Sequence, residues 1–191
     1  MRPDPLTWWQ SHFSGVAPRG HLLRHALSQQ WVRFHSLPES KRYAESVDDY
    51  IELQKRHLAV ASSLFSVGEP LYVFRAYGGE TRLRGKQRHQ LAGRQFREAV
   101  AHLPVENATL NDDEDRMYVR ALISKWKPDF FEAAVRLLAD WQEVGVSVVS
   151  PATRNIFCPY DGGMDVFAFS IGPEELRARF PSWLSSMPSG L

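Results

Sequence analysis

The sequence lacks features that mark several common protein classes. A single cysteine, Cys158, stands among the 191 residues, so no disulfide can form within the chain, which fits a reducing compartment. No segment approaches the ~18 consecutive apolar residues that a membrane-spanning helix needs. The first residues also lack the apolar stretch of a signal peptide. These absences predict a cytoplasmic protein with no membrane segment.

Sequence motifs of the common catalytic and cofactor sites are missing as well. The seven histidines form no His-Glu-x-x-His motif, and one cysteine cannot build a structural zinc cluster. The chain has no Gly-x-x-x-x-Gly-Lys-Ser/Thr loop and no Gly-x-Gly-x-x-Gly loop, and it lacks the Gly-x-Ser-x-Gly of serine hydrolases. No repeat of 20–50 residues is visible. The sequence therefore predicts neither a metal nor a cofactor.

Neither positive nor negative charge is in excess, since the chain has 23 Lys and Arg residues and 22 Asp and Glu residues. Seven basic residues lie close together in one stretch: Arg75, Arg82, Arg84, Lys86, Arg88, Arg94 and Arg97. They could form a local patch for nucleic acid or an acidic partner, but a solvated basic loop is the commoner structure. Because aromatic residues are not interleaved, the stretch is a poor stacking platform. The sequence argues against nucleic-acid binding.

The size and composition suit one globular domain, with 43% hydrophobic and 24% charged residues. Residues 1–20 hold three prolines and two glycines and are predicted to be a partly ordered lead-in. Residues 21–191 are predicted to form a single domain. The apolar spacing predicts helices over 22–27, 47–65, 96–103, 128–145 and from 173 onward. Strands are predicted over 31–37, 71–77, 117–126, 146–149, 155–158 and 164–169.

The last two predicted strands are joined as a hairpin, which favours antiparallel pairing. We therefore predict an α+β fold, with a mixed or largely antiparallel sheet packed with several helices and covered on one face.

Two polar-aromatic segments stand out, and the first covers residues 33–43. The predicted strand ends at Pro38, and the loop that follows contains Ser40, Lys41 and Arg42. Loops held by a rigid strand often carry binding groups, and these cations could hold an anion. Alternatively, Lys41 and Arg42 are solvated, and the nearby polar side chains satisfy backbone groups at the strand end.

The second segment covers residues 154–167. Asp161 and Asp165 flank a Gly-Gly turn and could approach each other, as paired carboxylates do in acid–base or cation sites. Alternatively, Asp-Gly is an ordinary turn signal and Asp161 accepts backbone donors. Neither interpretation needs Cys158, which suits a small apolar side chain better than a nucleophile.

Together the two segments resemble a family of uncharacterised bacterial proteins, the domain of unknown function 3885 family. Its members similarly carry an early His-x-Leu-Pro-x-Ser-Lys-Arg-Tyr stretch, here 35–43, and a late Tyr-Asp-x-x-x-Asp turn, here 160–165. A Trp-Leu or Trp-Ile pair then follows a short helix, here Trp183 and Leu184. The resemblance spans about 22–185 and implies a bacterial protein, but no reaction, cofactor or substrate.

Two functional hypotheses follow, and the sequence does not decide whether the chain is an enzyme. The first is a non-catalytic protein-interaction domain, such as an immunity-type protein, that binds a protein partner through one sheet face or the loop after Leu37. The second is an enzyme or small anionic-ligand binder with a pocket between the two segments. The candidate ligand-binding residues are His35, Ser40, Lys41, Arg42, Tyr43, Tyr160, Asp161 and Asp165.

Overall fold

The computed structural model describes residues 4–78, 90–91, 94–95, 97–104, 116–140 and 145–187. The strands in these ranges are β1 Trp31–His35, β2 Pro70–Gly78, β3 Gln90–Leu91, β4 Arg94–Gln95, β5 Arg97–Pro104, β6 Arg116–Lys125, β7 Val146–Val149, β8 Ile156–Tyr160 and β9 Gly163–Phe167. Seven of them form one sheet in the order β1-β9-β8-β7-β2-β6-β5, with every pairing antiparallel. The pair β3 and β4 stands apart.

The helices in the described ranges are α1 Pro5–His12, α2 Gly20–Ala26, α3 Val47–Leu64, α4 Pro128–Ala139 and α5 Pro173–Arg179. Short 3-10 turns cover Ser28–Gln30, Pro38–Ser40 and Pro181–Trp183. The structure confirms the predicted α+β fold and its largely antiparallel sheet in a single domain. None of these helices is long and apolar enough to cross a membrane.

The longest helix, α3, begins where the sequence predicted it, and Ser46 is its N-cap. The Ser46 side chain accepts a hydrogen bond from the Asp49 N–H at 3.1 Å, and the Asp49 carboxylate accepts from the Ser46 N–H at 3.1 Å. This reciprocal capping box satisfies two donors that the first turn would otherwise leave unpaired. Pro128 and Pro173 also begin their helices as predicted, because the first helical position needs no N–H.

Helices cover both faces of the central strands, whereas the sequence predicted one covered face. Apolar residues of α3, α4 and α5 pack in one core with Val32, Phe34 and Val73. Those of α1 and α2 pack in a second core on the opposite face. Trp9 of α1 is fully buried there, and its ring lies 5.1 Å from that of Phe74. The predicted lead-in thus contributes a packed helix, which the sequence analysis did not identify.

The prediction of a helix around residues 96–103 is wrong, because residues 97–104 form strand β5. It pairs with β6 from Arg97 to Pro104, with a register shift between Arg97 and Ala101. A short apolar run fits both the helical period and the strand period. Here the pairing with β6 stabilises the strand. Of the basic stretch, Arg75 is fully buried in β2, and residues 82–88 lie outside the described ranges.

Candidate functional site

The two polar-aromatic segments lie side by side in the fold. Strand β1, from the early segment, pairs along its whole length with β9, the second strand of the late hairpin, and His35 lies opposite Gly163. Just beyond β1, the N–H of Ser36 donates to the carbonyl oxygen of Gly162 at 3.2 Å. The segments therefore share a continuous boundary, which we call the β1–hairpin junction.

A buried ion pair joins the two strands of this junction, and we call it the inner pair. Arg33 Nε donates to Asp165 Oδ1 at 2.9 Å, and Arg33 Nη2 donates to Oδ2 at 3.1 Å. The indole N–H of Trp31 donates to the same Oδ1 at 2.8 Å. Asp165 is 3% exposed. Because charge-assisted bidentate bonds are strong and directional, the inner pair fixes how β1 lies against the hairpin.

Two glycines let the backbone come close to the inner pair. A Cβ atom at Gly163 would lie 2.5 Å from the carbonyl oxygen of Phe34. A Cβ atom at Gly20, the first residue of α2, would lie 3.0 Å from Asp165 Oδ2. The start of α2 therefore lies directly on β9, and this close packing brings the residues around Gly20 to the junction.

A second ion pair lies at the solvent edge of the junction, and we call it the outer pair. Arg42 Nε donates to Asp161 Oδ2 at 2.6 Å. The Arg42 side chain is 58% exposed, whereas that of Asp161 is 12% exposed. The Arg42 guanidinium carbon also lies 5.2 Å from the centre of the Tyr43 ring. The outer pair thus connects the loop after β1 to the hairpin turn, in contact with water.

The turn that leads into the outer pair has an unusual backbone. Glu39 and Ser40 both adopt left-handed φ angles, of 54° and 58°, and such conformations cost about 1–3 kcal/mol each in non-glycine residues. The next residue, Lys41, offsets part of this cost by anchoring the loop to α3. Its Nζ lies 2.8 Å from Asp49 Oδ2 and 3.0 Å from Glu45 Oε2.

A cavity of about 370 Å³ opens at the junction, within the ~300–1,000 Å³ of many small-molecule sites. It lies beyond the end of the backbone pairing of β7 with β8, which covers Val148 with Phe157 and Val149 with Ile156. Pro159 lies in the part of β8 beyond this pairing and lines the cavity. It has no N–H to donate, which suits a strand position without a neighbour on one side.

The lining of this cavity is rich in charge. Its ionisable residues are Arg19, His21, Arg33, Arg42, Asp161 and Asp165, together with Cys158 and Tyr160. Burial, and then the charge of Arg19, lower the pKa of His21 below its usual value, so its imidazole is neutral at pH 7. The described lining then contains three positively charged guanidinium groups and two negatively charged carboxylates. The described residues of the lining thus carry one net positive charge.

Arg19 is the residue that leaves this charge uncompensated. Whereas Arg33 and Arg42 are held by Asp165 and Asp161, no carboxylate of the described residues forms an ion pair with Arg19. Its side chain is partly buried, and this burial lowers its pKa, because removal from water disfavours the charged form. A guanidinium offers five N–H donors in a planar fork. Arg19 therefore has donors available to an anion in the cavity.

The two other ionisable groups of the lining are protonated. Burial raises the pKa of the Cys158 thiol well above its usual value, and Cys158 Sγ lies 3.1 Å from Ser147 Oγ. Burial likewise raises the pKa of Tyr160, and the charge of Asp165 adds to this effect. A thiol of this kind is a poor nucleophile, since the reactive species is the thiolate.

The structure places the eight candidate residues of the sequence analysis in two groups. Four of them line the cavity: Arg42, Tyr160, Asp161 and Asp165. The other four do not line it. His35 is half-buried in β1, and its carbonyl oxygen accepts from Arg56 Nη1 at 3.3 Å. Ser40 is exposed in the strained turn, Lys41 is anchored to α3, and Tyr43 is 44% exposed.

Sequence reasoning missed Arg19, His21 and Arg33 as cavity residues. In β1, Arg33 lies on the opposite face from the buried Val32 and Phe34, but nothing in the local pattern connects it with the hairpin. Arg19 and His21 precede the short helix that was predicted over 22–27, and they carry no motif. Gly20 between them was the available signal, because glycine at a helix start permits close packing.

No group of three or more His, Cys, Asp or Glu residues in the described ranges is placed to hold a metal ion. Comparisons with curated proteins and with solved structures gave no match. A family model described as Domain of unknown function (DUF3885) matches residues 19–188. This match covers the junction, the cavity and all strands of the sheet. The chain belongs to the DUF3885 family.

Proposed function

We propose that the protein binds a small anionic ligand in the cavity at the β1–hairpin junction. The observation that carries this proposal is the Arg19 guanidinium, which lines the cavity without an ion-pair partner among the described residues. A partly buried charge without a partner is unfavourable, and a bound anion would compensate it. Arginine is also the side chain best suited to bind carboxylate or phosphate groups through two parallel hydrogen bonds.

The geometry supports binding over catalysis. In the cavity lining, the Cys158 thiol and the Tyr160 hydroxyl are held in their protonated forms. A hydroxyl and an imidazole do meet elsewhere, since Ser36 Oγ lies 2.8 Å from His57 Nε2. These two residues are 0% and 1% exposed, so a substrate has no access to them. A nucleophile needs both an activating base and a substrate within reach.

The proposal is tested by measuring the thermal stability of the protein in inorganic phosphate, acetate and chloride at matched ionic strength. A ligand that binds only the folded state raises the free energy of unfolding as its concentration rises. We expect phosphate or acetate to stabilise the wild type more than chloride does. Arg19→Gln should weaken this binding about tenfold or more, because a charge-assisted hydrogen bond is lost.

A matched control is Arg179→Gln, since Arg179 forms an exposed ion pair with Glu175 away from the cavity. This variant should keep the full response to the anion. Without ligand, Arg19→Gln should be as stable as the wild type or more stable, because it removes an uncompensated charge. An anion response that is equal in both variants would contradict the proposal.

Protein interaction is the second candidate function, and it is favoured by one observation. Tyr43, Val47 and Ile51 are 44%, 75% and 58% exposed, and they lie on the loop after β1 and the start of α3. The neighbouring Glu45 and Asp48 are exposed acidic residues. Because Arg42 also lies beside Tyr43, the surface carries both signs of charge, and the partner would be a protein that presents apolar side chains flanked by polar ones. Helices cover the central strands on both faces, so the loop is the better-supported contact.

This second candidate is tested with the double variant Val47→Asp/Ile51→Asp. Both positions are exposed, so the variant should fold. The wild type should capture one protein in stoichiometric amount from the cells that encode it, and the double variant should lose that protein. The purified partner must then form a complex of defined stoichiometry with the wild type alone. Capture that is equal with both proteins would rule out this surface.

A further inference from the structure

Part of the cavity lining belongs to one face of the sheet, the face that α1 and α2 cover. Cys158 packs in the core on that face, and alternation along β8 places the Tyr160 side chain on the same side. Asp165 lies opposite Cys158 in the pairing of β8 with β9, and Arg33 lies opposite Asp165 in turn. Because residues directly opposite each other in antiparallel strands share a face, these four side chains form one surface.

The start of α2 lies on this surface and adds two more groups to it. A Cβ atom at Gly20 would lie 3.1 Å from Cys158 Cβ, and Arg19 and His21 flank Gly20 in the chain. Tyr160 follows Cys158 by two residues, or about 7 Å along β8, so one small ligand in the cavity can contact all three polar side chains. We call the whole set the α2-side lining; its residues are Arg19, His21, Arg33, Cys158, Tyr160 and Asp165.

The side chains of the α2-side lining are polar or ionisable. Among the described residues, none forms a hydrogen bond with the Tyr160 hydroxyl or the His21 imidazole. An apolar ligand body would remove these groups from water without replacing their hydrogen bonds, which is unfavourable. Leu138 and Val146 also line the cavity, but they pack in the core on the other face of the sheet. The α2-side lining therefore favours a ligand with a polar group besides its anionic head.

The charge of the described lining restricts the ligand further. Two of the three arginines are already matched by the inner and outer pairs, and His21 is neutral at pH 7, so one positive charge remains at Arg19. A single negative charge balances it. A phosphate monoester carries nearly two negative charges at pH 7, and the ammonium group of an amino acid cancels the charge of its carboxylate. The balance favours a monocarboxylate whose second polar group is neutral.

We propose that the ligand is a small hydroxylated monocarboxylic acid, with its carboxylate bound to Arg19 and its hydroxyl group bound to Tyr160 and His21. This inference rests on the proposed anion-binding function and adds the chemical class of the ligand. The carboxylate matches the planar donor fork of arginine. A hydroxyl group donates one hydrogen bond and accepts others, so it can accept from the Tyr160 hydroxyl and donate to the unprotonated nitrogen of His21.

The test compares three ligands with the same three-carbon skeleton, lactate, propionate and alanine, by thermal stabilisation at matched ionic strength. Lactate differs from propionate by one hydroxyl group, and alanine has an ammonium group at that place. The tighter enantiomer of lactate should bind about threefold to tenfold more tightly than propionate, because hydrogen bonds to neutral partners are gained. Alanine should bind more weakly than lactate, as should malonate and inorganic phosphate in separate arms. Arg19→Gln should weaken both lactate and propionate.

A pair of tyrosine variants locates the hydroxyl group of the ligand. Tyr160→Phe removes one oxygen atom from the α2-side lining. Tyr50→Phe makes the same change in α3, where the Tyr50 hydroxyl donates to Asp140 at 2.6 Å, outside the lining. The ratio of lactate to propionate affinity should fall in Tyr160→Phe and stay at the wild-type value in Tyr50→Phe. A ratio that is unchanged in Tyr160→Phe, or that falls equally in both variants, would overturn the placement of the ligand.

The outcomes separate this inference from the function on which it rests. If lactate and propionate bind with equal affinity in an Arg19-dependent way, the hydroxylated ligand is wrong and anion binding stands. Alanine, malonate or phosphate that binds more tightly than lactate would also overturn the inference. If no anion binds in an Arg19-dependent way, both proposals fail.

Discussion

The two ion pairs of the β1–hairpin junction have the same chemistry and opposite surroundings. In the inner pair the side chains of Arg33 and Asp165 are 15% and 4% exposed, and two hydrogen bonds connect them. In the outer pair the Arg42 side chain is 58% exposed, and one hydrogen bond reaches Asp161. Burial makes the loss of one partner costly, whereas water replaces a lost partner at the surface.

Because of this difference in burial, the two pairs have different structural roles. The inner pair is part of the framework that holds the early strand, the hairpin and the start of α2 in place. The outer pair lies at the edge of the cavity, on a loop that leaves a strained turn. Its arginine can change partners with little loss of stability.

The largest effect is expected from Asp165→Asn. This change keeps the shape of the side chain but leaves the Arg33 guanidinium without a carboxylate. Removal of one partner from a buried pair costs about 3 kcal/mol or more, which urea denaturation would measure as a lower midpoint with an unchanged slope. A loss below 1 kcal/mol would show that the inner pair is not a framework element.

The second prediction compares two neighbouring glycines of the hairpin. Gly163→Ala would force a Cβ atom against the carbonyl oxygen of Phe34, at 2.5 Å, and against the Tyr160 hydroxyl, at 2.8 Å. Overpacking of this kind costs about 1–3 kcal/mol. Gly162→Ala would meet Arg42 Cγ at 3.1 Å, and that flexible exposed side chain can move away. Urea denaturation should therefore show a clear loss for Gly163→Ala and a small one for Gly162→Ala.

The third prediction concerns pH and His57, which meets Ser36 on the other face of the junction. Burial lowers the pKa of His57 from 6.5 to about 3. The unfolded chain therefore takes up this proton first, and the free energy of unfolding falls as the pH drops from about 6.5 toward 3. Between pH 7 and pH 5 the loss from this group should be about 1–2 kcal/mol.

Denaturation with urea at several pH values measures this loss, and His57→Gln is the matched variant. The pKa values of His21 and His35 are shifted in the same direction, so the wild type and the variant share their contribution. The variant should show a smaller decrease in stability between pH 7 and pH 5. Parallel curves for the two proteins would mean that His57 is not buried in its neutral form.

The smallest effect is expected from Asp161→Asn, which removes the carboxylate of the outer pair. Exposed ion pairs contribute about 0–1 kcal/mol, and salt screens them. The free energy of unfolding should change by less than 1 kcal/mol, and less at 0.5 M salt than at low salt. A loss as large as that of Asp165→Asn would remove the distinction between the two pairs.

Much of the fold follows from local patterns in the sequence. Residue type and apolar spacing predicted β1 and α3, and the turn near Asp161 between two strands predicted the hairpin. These signals act over a few residues, and each has a local physical cause. The α1 helix escaped notice because the first 20 residues hold three prolines and its tryptophans follow no long apolar period.

The junction itself could not be predicted in this way. The pairing of β1 with β9 connects residues such as Arg33 and Asp165, which are 132 positions apart, and no local rule selects that partner. Arg19 enters the site only because α2 packs on β9 at Gly20. The two polar-aromatic segments were recognisable as unusual runs of residues, but the contacts between them depend on the long-range order of the strands.

The limited pairing of β7 and β8 has a mechanical consequence. Two backbone-paired residue pairs and the side-chain contact of Ser147 with Cys158 connect the three strands β1, β9 and β8 to the other four strands of the sheet, so the sheet consists of two panels with a short seam between them. A force that pulls the panels apart would open the molecule along this seam, beside the cavity. A ligand bound to both panels would raise the force required, and single-molecule stretching would detect its presence.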